Sequence, residues 1–318
     1  MDRRLIGALL VVAAIVVAIL VPVRDGLRVA GTAAITDLPA DPAIGDCLLE
    51  PTAEFWSGAR VPPDQPAGGT AAEQATNNPL APIFGACGGA SVAGEVVAIR
   101  AATGDPGSRL ASAQSSGRDC RAAALEYAGL TRVDSRFSVR GQLGAEPVSW
   151  KFSINLRTSW VLPSPVLQAA GRTWVACVAS PVTPSRYTGS IADAYLGGEL
   201  PAPFATCWDR PETGAGVQTV PCDQPHKAQL VASGTIVNRD DATIAQIRQS
   251  CRGLSATVMG RTDPTAGGGL TIKLSPEIAD GQVWRDSSVD VICFITPTEH
   301  SLVASVVGLG DRPIPYAG

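Results

Sequence analysis

Val220-Pro-Cys222-Asp-Gln-Pro225-His226-Lys-Ala228-Gln-Leu-Val231 joins a cysteine, a proline-fixed turn, a histidine and an apolar run. Cys207 stands upstream of it, and Cys251 and Cys293 follow. The same order, cysteine then turn then strand, occurs earlier, where Cys87 leads into Gly94-Glu-Val-Val-Ala-Ile99. Cys47 precedes that unit, and Cys120 and Cys177 follow it. Cys120-Arg121 is followed by Gly129 at the offset that separates Cys251-Arg252 from Gly260. Ser164-Pro165 marks a turn and is answered by Ser275-Pro276, and the run from Trp284 to Cys293 answers Trp174 to Cys177. The chain therefore reads as two copies of one four-cysteine pattern.

The elements follow from periodicity. Gly94–Ile99, Trp150–Leu156, Trp174–Val178, Leu230–Ile236, Leu270–Leu274 and Val291–Ile295 carry the alternation or apolar runs of strands. Ser108 to Leu130 and the stretch from Asp240 read as helices. Ile244, Ile247 and Cys251 share one face of the second, Asp240-Asp241 offers an Asp as its N-cap, and Gly129 stops the first. The predicted fold class is α+β: two tandem disulfide-stapled small domains, each a mainly antiparallel sheet with one helix, after an N-terminal transmembrane helix. The first domain spans residues 44–183, with a Pro/Gly-rich mobile loop at 60–82, and the second spans 205–296. Residues 184–204 are expected as a linker and 297–318 as a C-terminal tail.

Eight cysteines with no C-x-x-C pair argue against a zinc ribbon or a thioredoxin-like redox motif. In an exported chain, an even number of widely spaced cysteines reads as disulfides. Each domain allows three connectivities. The pairing favoured is Cys47–Cys87, Cys120–Cys177, Cys207–Cys222 and Cys251–Cys293, clipping neighbouring strands and tying each helix to the last strand. The compartment follows from the N-terminus. Met1-Asp-Arg-Arg4 is a basic head, and the run from Leu5 to Val23 is apolar without a charge. At 1.5 Å per residue it spans about 28 Å, close to the hydrocarbon thickness. Residues 1–24 are read as cytoplasmic head and single-pass anchor, 25–43 as a tether, and the bulk as extracytoplasmic. A removed signal peptide, cleaved late at Val29-Ala30-Gly31, is the alternative. Net charge is -4 with only Lys151, Lys227 and Lys273 as lysines, and without a basic stripe nucleic acid is not an expected partner.

Gly45-Asp-Cys47, Val220-x-Cys222-x-x-Pro225-His226-x-Ala228, the mid-domain Cys251 and a late Trp-to-Cys strand resemble the actinobacterial septum formation family. Members carry a G-D-C opening and a V-x-C-x-x-P-H-x-x-E-V core, and the resemblance covers residues 44–180 and 205–296. It implies an anchored envelope protein with division or other envelope proteins as partners, and it brings no enzymatic activity. The second copy has Gln229-Leu230 where the family has Glu-Val. The first copy keeps Gly94-Glu95-Val96 but lacks Pro-His.

Candidate chemistry is sparse. His226 is the obvious general base or metal ligand. Its plainer reading is a turn histidine that orders the strand entry beside a disulfide, with Pro225 fixing the turn. Neither a G-x-S-x-G elbow nor S-x-x-K, H-E-x-x-H or a Walker loop is present. No catalytic residue, metal or cofactor is assigned. The expectation is a non-enzymatic binding or scaffold module. The competing expectation is a hydrolase or ligand-handling enzyme acting on cell-wall material, with His226 beside Asp223. The six tryptophans, Trp56, Trp150, Trp160, Trp174, Trp208 and Trp284, are read mainly as large core residues.

Overall fold

The computed structural model describes residues 38–52, 55, 78–101, 108, 117–132, 148–183, 185–211, 217–236, 241–276 and 289–318. The apolar run at residues 5–23, Trp56, Trp284, Asp240 and most of the loop at 60–82 lie outside them. Among the described residues no helix is long and apolar enough to cross a membrane.

The first half builds an antiparallel sheet from β1 (Cys47–Glu50), β2 (Ile83–Gly85), β3 (Gly94–Ala101), β5 (Leu156–Val161) and β6 (Trp174–Pro181), in the order β2-β1-β3-β6-β5. The second half builds another, β10-β11-β9-β7-β8, from β7 (Cys207–Trp208), β8 (Thr219–Val220), β9 (Ala228–Ile236), β10 (Leu270–Ser275) and β11 (Val289–Pro297). Helix α1 (Gly117–Tyr127) serves the first half, and α3 (Asp241–Met259) the second. Each helix buries one stripe. In α3 it is Ile244, Ile247, Cys251, Leu254 and Val258, at the spacing of a single helical face. Both helices end at glycines in the left-handed region, Gly129 at φ +84° and Gly260 at φ +70°. A Cβ at Gly129 would also lie 2.7 Å from Leu196 Cγ, so close approach reinforces the requirement.

The four disulfides are Cys47–Cys87, Cys120–Cys177, Cys207–Cys222 and Cys251–Cys293, the favoured pairing, and the described residues hold no free cysteine. Cys120 in α1 is tied to Cys177 in β6, and Cys251 in α3 to Cys293 in β11. Loop-closure entropy assigns about 3 kcal/mol to the bridge across 15 residues and about 4 kcal/mol to that across 57.

Three expectations are corrected. The run Trp150–Leu156, read as one strand, is two. β4 (Val148–Phe152) pairs with β9 of the second sheet from Val148↔Ile236 to Phe152↔Ala232, while β5 pairs with β6 of the first. The crossing is fixed where Ser153 N–H donates to Val231 O (2.9 Å) and Asn155 N–H to Phe204 O (2.8 Å). Asn155 Nδ2 also donates to Ala205 O at 2.9 Å. Residues 39–318 form one compact unit, and a single buried cluster holds Val97 and Cys177 together with Val231 and Cys293. The halves are thus two repeats around a common core rather than two separate domains. Second, residues 297–318 are not a tail: Leu302, Val306, Val307 and Leu309 are buried. Third, Ser164-Pro165, expected as a turn, starts a short helix, α2 (Pro165–Ala169), in which Leu167 N–H donates to Ser164 Oγ at 3.3 Å.

Candidate functional site

The corner at His226 is built by its neighbours in the sheet. β7 brings Cys207 opposite Gln229 on β9, as β1 brings Cys47 opposite Glu95 on β3. Three residues before each of these polar positions, the chain makes a two-bond bridge to the segment after the last strand. His226 N–H donates to Leu302 O and Leu302 N–H to His226 O, both at 2.9 Å. In the first half the partners are Val92 and Tyr187, at 2.8 and 3.0 Å. His226 therefore occupies a structural position that a valine fills in the other repeat.

The match continues atom by atom. Gln229 is buried; its Nε2 donates to Ser305 Oγ and its Oε1 accepts from Val306 N–H, both at 2.8 Å. Ser305 Oγ in turn accepts from Val307 N–H at 3.2 Å. In the first half Glu95, also buried, accepts from Ser190 Oγ at 2.5 Å and Ile191 N–H at 2.9 Å, and Ser190 Oγ accepts from Ala192 N–H at 2.9 Å. Asp193 N–H then donates to Tyr127 O, and Gly308 N–H to Val258 O, both at 2.9 Å. Asp193 (φ 50°) and Gly308 (φ +63°) both adopt the left-handed conformation that this turn demands. The segments expected as linker and tail are thus the same closing turn in two copies. Sequence reasoning missed them; the available signal was Ser190-Ile191 and Ser305-Val306 at nearly equal distances beyond Cys177 and Cys293.

One difference separates the copies. Glu95 also accepts a short hydrogen bond from Tyr127 Oη, whereas Val258 stands at the matching place in the second half. Burial, and then the hydrogen bond to the Glu95 carboxylate, push the Tyr127 phenol well above its ordinary range. The Tyr187 hydroxyl is buried with no hydrogen-bond partner among the described residues, and burial raises it too.

His226 is wholly buried. Its Nδ1 lies 2.8 Å from Gln224 O. A carbonyl only accepts, so Nδ1 carries the proton and Nε2 presents a lone pair. Nε2 is buried without a hydrogen-bond partner among the described residues. Burial pulls the imidazole below its usual value, opposed by the hydrogen bond to the Gln224 carbonyl. No hydrogen bond links His226 to Asp223 among the described residues. Asp223 instead lines a cavity of about 330 Å³ with Tyr187, Glu199 and Ser305, which His226 does not border. Pro225 is exposed, and His300 lies at the surface, its ring 5.7 Å from that of Tyr316. No group of three or more His, Cys, Asp or Glu side chains that could hold a metal lies together among the described residues.

Two larger cavities lie along equivalent edge strands. One, of about 550 Å³, is bordered by consecutive residues from Arg157 to Pro165 on and beyond β5, with Thr52, Phe55, Ala81 and Pro82 opposite. Arg157 there donates to Phe55 O at 2.8 Å and lies 5.0 Å from the Phe55 ring centroid. The other, of about 920 Å³, is bordered by Thr271 to Ser275 of β10 and Pro276 beyond it, by Phe294 of β11, and by Ala245, Arg248, Gln249, Cys251 and Arg252 of α3. Arg252 lies 3.8 Å from the Asp263 carboxylate. Hydrogen bonds from Gly267 N–H and Thr265 hold that carboxylate at about 2. The described tryptophans divide: Trp174 is buried against Phe84, whereas Trp150, Trp160 and Trp208 are half-buried, with Trp160 on the smaller cleft.

Comparison with family models, with curated proteins and with solved structures found no match to this chain.

Proposed function

We propose that this chain is a membrane-anchored, extracytoplasmic envelope protein that serves cell division as a non-enzymatic binding or scaffold module. The supporting observation is the placement of His226. The histidine that gives the motif its chemical promise sits wholly buried in a bridge that Val92 and Tyr187 reproduce in the other repeat. A general base must reach the proton it abstracts, and a ring closed off in this way does not. The anchor reading rests on the charge-free run of residues 5–23 and on the four disulfides, which suit an oxidising compartment. The septal assignment rests on the sequence resemblance at Gly45-Asp-Cys47 and Val220–Gln229.

A fluorescent fusion combined with proximity labelling in the native organism tests the proposal. The expected result is enrichment at the division site and labelling of division proteins. Uniform envelope fluorescence with no division protein among the labelled set removes the septal assignment.

A further inference from the structure

We propose that the cavity of about 330 Å³ between the two repeats is a binding site for a small zwitterion, a free amino acid or a short unblocked peptide, held by its ammonium at Asp223 and by its carboxylate at Arg186 and Ser305. The proposal adds a small-molecule ligand to the binding-module reading above and does not depend on the division partners.

The first observation is a hydroxyl proton left over by the difference between Glu95 and Gln229. A main-chain N–H only donates, so Val306 N–H, 2.8 Å from Gln229 Oε1, fixes the amide and turns its Nε2 toward Ser305 Oγ. Ser305 Oγ thus accepts from Gln229 at 2.8 Å and from Val307 N–H at 3.2 Å. Both lone pairs are taken, and its own proton meets no acceptor among the described residues. In the first repeat Ser190 donates its proton to the Glu95 carboxylate. An amide in place of the carboxylate leaves the second serine able to donate elsewhere, and Ser305, 7% exposed, borders the cavity. Tyr187 borders the same cavity and is 4% exposed, and its hydroxyl has no hydrogen-bond partner among the described residues. A buried donor without an acceptor is costly, and an acceptor on a ligand removes that cost.

The second observation is a pair of opposite charges that border this cavity without meeting. Arg186 Nη1 donates to Leu49 O at 3.1 Å and to Ser91 O at 2.9 Å, two neutral acceptors that hold the guanidinium in place. Neither Arg186 nor Asp223 forms an ion pair among the described residues, with each other or with any other group. Glu199 differs: Arg312 lies 3.4 Å from its carboxylate, so Glu199 is not assigned to the ligand. A molecule carrying both charges answers Arg186 and Asp223 at once, and its carboxylate also accepts the Ser305 proton. Size and wall agree with this. The 330 Å³ lies at the lower end of the about 300–1,000 Å³ of ligand pockets, and Leu200, Pro201, Ala202 and Ala304 supply an apolar side for short side chains. Arg186 and Tyr187 belong to the first repeat and Asp223 and Ser305 to the second, so an occupant touches both.

The probes are L-alanine and L-alanyl-L-alanine, titrated by calorimetry into the full-length, non-reduced chain in detergent. N-acetyl-L-alanyl-L-alanine, which lacks the ammonium, and L-alanyl-L-alanine amide, which lacks the carboxylate, are the controls. The expected result is saturable binding of a zwitterion at one site per chain, weakened about tenfold or more by either block. Whichever zwitterion binds more tightly identifies the source, a free amino acid or a peptide. Asp223→Asn should weaken the zwitterionic dipeptide about tenfold yet leave the N-acetylated form unchanged, and Arg186→Gln should stand in the same relation to the amide. That matching of variant to block is a coupling that a merely structural role would not give. Both positions are exposed, and an unchanged unfolding transition confirms that the variants are folded. If Arg186→Gln does not fold, Asp223→Asn alone decides. Absence of saturable binding by both zwitterions, equal binding of the blocked forms, or full affinity in Asp223→Asn overturns the site. Zwitterion binding beside a chain that labels no division protein supports the cavity and defeats the septal assignment. Specific labelling without zwitterion binding defeats the cavity and leaves the septal assignment standing.

Discussion

Replacing His226 with valine, the residue of the matching position in the first repeat, is expected to leave the protein as stable as before or slightly more so. Among the described residues the native ring keeps one hydrogen bond, from Nδ1 to Gln224 O, and leaves Nε2 buried without a partner. Losing the bond costs about 1 kcal/mol, while removing the unsatisfied nitrogen returns about 1–3 kcal/mol. Gln224 is exposed, so its carbonyl can turn to water. The smaller side chain offsets part of the gain, and the net change is expected within about 1 kcal/mol of zero. His226→Ala, which removes more packed volume, is expected to cost about 2–3 kcal/mol. The pH dependence has a definite sign. The folded-state imidazole titrates below its ordinary value of 6.5 because it is buried. Below about pH 6.5 the unfolded chain therefore binds the proton first. The wild type is fully stabilised above that pH and loses stability as pH falls toward the folded-state value, by at most about 1.4 kcal/mol per pH unit. In His226→Val this component disappears. Urea unfolding of the non-reduced protein between pH 5 and 8, followed by tryptophan fluorescence, measures both effects. A loss above about 3 kcal/mol in His226→Val, or an unchanged pH profile, would refute the structural role assigned to this residue.

Glu95→Gln is expected to cost about 1–2 kcal/mol, since an amide keeps the Ile191 N–H bond but meets the Ser190 and Tyr127 hydroxyls less strongly than a carboxylate. Glu95→Leu, which strands those donors, should cost about 3–6 kcal/mol by the same urea titration. A stop codon after Pro297 removes Leu302, Val306, Val307 and Leu309 from the core, each worth about 1.5–3 kcal/mol. Such a chain is expected to be degraded by protease under conditions that leave the full-length protein intact. Cys120→Ser/Cys177→Ser should destabilise by about 4 kcal/mol and Cys207→Ser/Cys222→Ser by about 3 kcal/mol, following the 57- and 15-residue separations. Peptide mapping without reductant checks the connectivity itself, and any bridge between the halves would overturn it.

The cysteine framework was legible because it is written in local spacing. Cys120 and Cys251 stand at the same distance before Gly129 and Gly260, and each lies on the buried stripe of its helix. The split at Ser153–Asn155 was not legible, because the alternation from Trp150 to Leu156 runs through it unbroken. Only the partners Val231 and Phe204, remote in sequence, turn the chain from one sheet to the other. The closing turns at Ser190 and Ser305 were hidden for a different reason. They pair through side chains and single backbone bridges, which leave no hydrophobic period to read.

The placement of β4 bears on the order in which the molecule comes into being. A polypeptide is made from its N-terminus, and β4 emerges well before β9, the strand that receives it. Until Ala228–Ile236 arrives, Trp150 and Phe152 stand on a strand with no neighbour among the described residues, and the first repeat waits on residues not yet synthesised. Neither repeat is then a separate folding unit, and intact protein should unfold in one transition rather than two. Any expression fragment cut between residues 183 and 205 would orphan both the donor strand and its seat.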